Sequence, residues 1–221
     1  MKLSLTPDAL AAYLARQVSN VFPDREVAGD EYRPFVDAAL ERLEHCFAAI
    51  KNKYFPGRSD SYFNHRHTDQ YAMFLYLVGN SVFRRHGDLA LAEKAYALNK
   101  ALHALDCSYE IELPEIFGFQ HPVGTVLGRA KYSNYFFVYQ RCSTGGKDLI
   151  YPTIGEGVVM YGGSSIIGKC SIGNNVWLSA GTLVMEQDIP GNSAVFGQSP
   201  HLTIKPTQRN VFSHFFRVDV K

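Results

Sequence analysis

The chain has 221 residues, a formal net charge of +1 and 46% hydrophobic residues. That is enough to bury one sizeable core or two small ones, and the near-neutral charge argues against nucleic acid as the main partner. The opening MKLSLTPDALAAYLARQ has no long apolar core segment, so no signal peptide is expected there, and no apolar run approaches ~18 residues, so no membrane span is expected.

Residues 1–106 read as an α-helical domain. Thr6-Pro7-Asp8 is a helix start: a capping hydroxyl, a proline for the first turn and an acid near the positive end of the dipole. This helix is expected to run to about Val21, before Pro23. A second fits 31–52, where Phe35, Ala38, Leu43, Cys46, Phe47 and Ile50 form an apolar stripe. The segment PGRSDSYFNHRHT reads as a loop. A third helix near 69–85 is apolar on most sides and is expected to be buried, and a fourth follows Gly87 over 88–105.

After Asp106 the pattern changes. Ile154, Met160, Ile166, Ile172, Leu178 and Val184 place one large aliphatic residue at every sixth position. Val158, Ser164, Cys170, Val176 and Thr182 follow them four places later, all small or β-branched. Neither helix nor ordinary strand has that period, and a fixed short repeat marks a hexapeptide solenoid. Leu113, Phe119 and Thr125, then Tyr132, Val138 and Thr144, extend the count less regularly. About four coils of three hexads fit between 107 and 189, with 145–153 as a loop leaving the solenoid. A helical reading of 154–184 would bury seven glycines at ~1 kcal/mol each. The fold class expected is α+β: an α-helical domain over 1–106, a β-helix over 107–200 and a tail over 201–221. The aromatic VFSHFF of the tail is expected to pack on the solenoid or on a neighbouring subunit. The four cysteines lack metal spacing, which fits thiols packed in a reduced, cytoplasmic protein.

A helical half joined to a hexapeptide solenoid resembles the serine acetyltransferase family, and local motifs sharpen the resemblance. His121-Pro-Val-Gly-Thr-Val-Leu-Gly128 is similar to that family's catalytic H-A-T-G-I-V-V-G, Ser143-Thr-Gly-Gly146 to its T-L-G-G turn, and Ile154-Gly-Glu-Gly-Val-Val-Met160 to I-R-E-G-V-M-I. The match covers roughly 65–205. It implies a left-handed parallel β-helix and acetyl transfer from acetyl-CoA to a hydroxyl. It also implies catalytic roles for His121 as base and for Asp106, which lies at the family's spacing before it. A histidine of near-neutral pKa suits proton removal from the acceptor hydroxyl, and a carboxylate on its other nitrogen fixes the tautomer.

The family binds acetyl-CoA in a groove between the subunits of a trimer. The resemblance assigns Gly145, Gly146, Gly162 and Ala180 to the wall of that groove and Lys205 to the CoA phosphates. It implies a homotrimer, with a dimer of trimers left open, and no metal. Histidines and arginine in Asn64-His-Arg-His-Thr lack the spacing of a zinc site.

The residues that hold serine in the family are largely replaced. Its aspartate before the catalytic histidine is Gln120, its Arg-His-Pro aligns with Ile150-Tyr151-Pro152, and of its D-P-A-V-D acids the first falls near His65 and the second at Asp69. Gln120, Tyr151, His65 and Asp69 are therefore the expected substrate contacts. Charge-assisted contacts are worth ~1.5–3 kcal/mol each, so either Arg66, His65, His67 or Lys147 replaces them and the acceptor is serine-like, or the acceptor is another alcohol, a hydroxy-amino-acid derivative or a sugar; the latter is expected. The terminal Val218-Asp-Val-Lys221 lacks the isoleucine that the family uses to bind its cysteine-synthesis partner, so no such complex is expected. An N-acetyltransferase and a non-catalytic assembly module are the competing readings.

Overall fold

The computed structural model describes residues 1–52 and 61–218. Part of the expected loop, 56–60, and the last three residues lie outside them. β1 (Lys2–Leu3) precedes α1 (Pro7–Val21) and α2 (Gly29–Ala49). β2 (Tyr62–Phe63), α3 (Thr68–Arg84) and α4 (Leu89–His103) complete the helical unit. α1 starts where the sequence indicates, with the Ala9 N–H donating to Thr6 Oγ1 at 3.3 Å. α2 begins earlier than expected, because Glu31 reaches back and accepts the Ala28 N–H at 2.8 Å, satisfying an orphan donor. α3 is buried from Asp69 to Val82, as its all-round apolarity requires.

The solenoid has three faces of parallel strands. The first stacks β4 (Phe117–Phe119), β7 (Phe136–Val138), β10 (Val158–Met160), β13 (Val176–Leu178) and the start of β15 (Ser193–Gln198). The second stacks β3 (Asp106–Cys107), β5 (Val126–Leu127), β8 (Ser143–Gly145), β11 (Ser165–Ile167) and β14 (Leu183–Met185). The third stacks β6 (Lys131–Tyr132), β9 (Thr153–Ile154) and β12 (Ser171–Ile172). Val158 pairs with Val176, Ile166 with Val184 and Ile154 with Ile172, each one three-hexad coil apart. Every aliphatic and small repeat position read from the sequence is buried, from Leu113 to Val184. Polar members of the column are bonded: Thr125 Oγ1 donates to the Tyr139 carbonyl and Thr182 Oγ1 to that of Val195.

Two expectations are adjusted. The coils number five rather than four, since the first face continues into β15 beyond Pro190. The solenoid also begins at Asp106 in β3, one residue before the expected boundary. The break in the count is real: Lys147 and Ile150 pair across a tight turn whose central residues, Asp148 and Leu149, are left-handed.

β16 (His201–Pro206) folds back antiparallel on β15. The tail then runs up the first face as α5 (Val211–Phe215). Phe215 stacks on Phe137 at 4.7 Å and lies 5.6 Å from Trp177, and Phe212 meets Tyr135 at 5.2 Å. Asn175 anchors it, accepting the Val211 N–H at 2.9 Å and donating to the Arg209 carbonyl at 3.1 Å. Beyond α5 the chain meets the helical unit, where Phe216 bridges Ile50 and the Lys51 N–H donates to the Phe215 carbonyl at 2.7 Å. The tail thus packs on its own solenoid.

Candidate active site

The chain leaves β4 through a corner, Gln120 to Gly124, before re-entering at the buried Thr125. His121 takes a left-handed conformation there (φ 51°), which turns its side chain outward to 63% exposure. The start of α3 abuts this corner. Asp69, with a side chain only 6% exposed, accepts the His121 N–H through Oδ2 at 3.1 Å and lies 3.7 Å from ring Nδ1. The first turn of a helix favours an anion, which offsets the desolvation of this carboxylate. A carboxylate beside Nδ1 favours the tautomer that leaves Nε2 free to accept a proton. Beneath lies His103, whose Nδ1 sits 2.8 Å from Asn99 Oδ1. Burial pushes its pKa down to about 4 against the pull of the Asp69 charge, so it is neutral at pH 7.

Gln120 Oε1 accepts from Asn52 Nδ2 at 3.1 Å. The amide carbonyl is therefore occupied, and the polar group left over is the Nε2 donor. Ladder pairing sets the outer residues of successive coils below this corner: His121, Gln140, Gly162 and Ala180 fall in one column. A Cβ on Gly162 would meet only the flexible amide of Gln140, at 2.7 Å, while Gly181 beside Ala180 has nothing within 4 Å of such a position. The lower corner is a shallow, small-residue surface running away from His121.

Other expected site residues lie elsewhere in the single chain. The expected partner of His121, Asp106, is turned to the helical unit: its carboxylate accepts from Tyr96 Oη at 2.7 Å and Lys100 Nζ at 2.6 Å. Partial burial opposes its ionisation, but these two donors outweigh it and hold the carboxyl below its ordinary pKa. Asp69, from a helix rather than from the coil, is the acid beside the imidazole instead. His65 is also committed, with Nδ1 2.8 Å from Ser4 Oγ and its ring against Tyr13 at 5.2 Å. Gly145 and Gly146 close the second face at the next corner, where the Tyr151 ring fills the space a Gly146 Cβ would take; Gly145 stays open, with Ile167 Cδ1 nearest at 3.7 Å. Lys205 is exposed on β16, opposite Ala194. Sequence reasoning missed Asn52 and His103, whose roles come from contacts across the chain that no local motif marks. Among the described residues no three His, Cys, Asp or Glu side chains gather as a metal site, and no described helix is long and apolar enough to cross a membrane.

No family model matches the chain. A serine acetyltransferase of Synechococcus elongatus is 33% identical over 82 residues, 35% of this chain and 33% of that protein, so the aligned stretch spans about a third of the relative. One from Staphylococcus epidermidis is 23% identical over 151 residues, 65% of this chain and 70% of that protein. A serine acetyltransferase solved as a complex with CoA superposes with a TM-score of 0.71 at 17% identity, covering 90% of this chain and 84% of that one. The chain resembles serine acetyltransferases in sequence over these stretches and shares the fold of the solved one. The likeness to the CoA complex extends through the helical unit, which sequence resemblance alone reached only from about residue 65. Helices followed by a parallel solenoid are thus the shared architecture.

Proposed function

We propose that the protein transfers the acetyl group of acetyl-CoA to a hydroxyl, with His121 as general base. The observation that carries this reading is the outward-facing imidazole of His121 with the buried Asp69 carboxylate 3.7 Å from Nδ1. Nε2 removes the hydroxyl proton as the oxygen attacks the thioester carbonyl. The tetrahedral adduct then collapses to the ester, and the departing CoA thiolate takes the proton back from the imidazolium. Asp69 positions the ring and stabilises its charged form, the role the sequence assigned to Asp106.

Gly162 and Ala180, in the column below His121, fit the pantetheine arm, and the open surface at Gly145 fits the same ligand from an adjoining subunit. A homotrimer would bring those two corners together. Lys205 is the candidate contact for the CoA phosphates. The acceptor is an alcohol other than free serine, since Gln120 offers a neutral donor, and in the loop after Gly146 the one cation, Lys147, is paired with Glu186 while Leu149, Ile150 and Tyr151 are exposed. Four free, buried cysteines suit a reducing, cytoplasmic setting. CoA release with a panel of alcohols tests the reading. Turnover that requires a hydroxyl supports it, and saturable use of free L-serine at sub-millimolar KM would sink the acceptor assignment.

A further inference from the structure

The second coil carries an arginine where its neighbours carry glycine. The residues preceding the buried Thr125, Cys142, Ser164 and Thr182 are Gly124, Arg141, Gly163 and Gly181. All four are left-handed, with φ of 73°, 54°, 77° and 72°. Glycine adopts this conformation without a Cβ penalty; arginine does not. Outside the tight turn at Asp148 and Leu149, the other non-glycine residues at left-handed turns of the solenoid have compensating contacts. Asn175 makes three hydrogen bonds, Tyr135 packs against Phe212 and Phe216, and Glu186 pairs with Lys147. The side chain of Arg141 is exposed and makes no hydrogen bond or ion pair with any described residue. Strain without local compensation points to a ligand.

Arg141 leans toward the first coil. Its Cγ lies 3.4 Å from the position of a Cβ on Gly124, three residues from His121. The second donor at this corner is Gln120 Nε2, since Oε1 is held by Asn52. The acid at the corner, Asp69, is buried and engaged by His121. The corner therefore offers a cation and an amide donor, and no free carboxylate for an ammonium group.

We propose that Arg141 and Gln120 bind an anionic group of the acceptor, making the acceptor a carboxylate- or phosphate-bearing alcohol that needs no ammonium. This rests on the acetyl-transfer reading above. The anion is not that of CoA, because the phosphates of CoA are separated from its thioester by the whole pantetheine arm. They cannot lie beside the base that serves the thioester. A guanidinium matches either anion with paired N–H donors.

The test follows the ring resonances of His121 by NMR while the intact protein is titrated with 3-hydroxypropionate, glycerol 3-phosphate or neutral 1-propanol. A saturable shift with one or both anions and none with 1-propanol is expected, and the two anions separate carboxylate from phosphate. Affinity should fall tenfold or more in Arg141→Gln and recover largely in Arg141→Lys, while the affinity for acetyl-CoA stays unchanged. Equal anion affinity in wild type and Arg141→Gln, or no saturable shift with either anion, overturns the proposal. Arg141→Gly, which relieves the backbone, should melt no lower than wild type and still lose the anion, separating binding from folding. Acetyl-CoA consumption, measured separately, decides the acetyl-transfer reading: its absence with intact anion binding would fail that reading alone.

Discussion

At His121 one carboxylate oxygen serves two groups, the backbone N–H and the ring. His121→Ala should lower kcat by ~10²–10⁴ with the fold intact, as loss of a general base does; steady-state kinetics and circular dichroism check it. Asp69→Asn keeps an oxygen for the backbone N–H but removes the charge beside Nδ1, so kcat should fall by about tenfold or more with little change in KM. Asp106→Asn loosens a half-exposed pair with Lys100 and should leave kcat within about a factor of three, since such pairs contribute ~0–1 kcal/mol to stability. His103 governs an acid limb. Its folded pKa of about 4 lies below the ordinary histidine value of 6.5, so the unfolded chain binds more protons between those values. Stability contributed by the neutral imidazole is present above pH 6.5 and is lost as pH falls toward and below 4. Urea unfolding of His103→Asn should show a flatter decline over that window than wild type.

Among the elements, the solenoid was legible and its attachments were not. The six-residue period is a local property: each aliphatic residue reports the same interior column, and all of them are buried. His121 was legible because its motif is contiguous. The partner of its ring was not, because Asp69 arrives from α3, 52 residues away in sequence, and spacing along the coils carries no information about what a helix lays against a corner. Asp106 has the right spacing, but Tyr96 and Lys100, one turn apart on α4, claim its carboxylate. Arg141 escaped notice for a related reason. The repeat slips through the first two coils, so the glycine column to which it belongs is visible only once the coils are stacked. The tail tests the same point by mutation. Phe215→Ala removes a ring packed on Phe137 and Trp177 and should cost about 3–5 kcal/mol, read as a lower denaturation midpoint.

For the whole molecule, the single chain separates the surfaces that acetyl-CoA would need. His121, Gly162 and Ala180 share one corner, and Gly145 lies at the next. Sedimentation should report a trimer. If the site forms between subunits, co-refolding His121→Ala with Gly145→Trp should restore about a quarter of wild-type activity, because random mixing leaves about that share of interfaces intact on both sides. No recovery would place both halves in one subunit.

The bridge between Phe216 and Ile50 has a temporal meaning as well. Ile50 caps the second helix, yet its pairing partner follows the whole solenoid in the chain. The helical unit can collapse early around its own core, but the seam between its edge and the aromatic face of the solenoid stays open until the segment after the solenoid has been made. Contacts this distant along the chain are formed slowly, and until they close they leave Phe137, Trp177 and their neighbours uncovered. A chain cut before Val211 would therefore keep its corner histidine and lose the cover of its aromatic face.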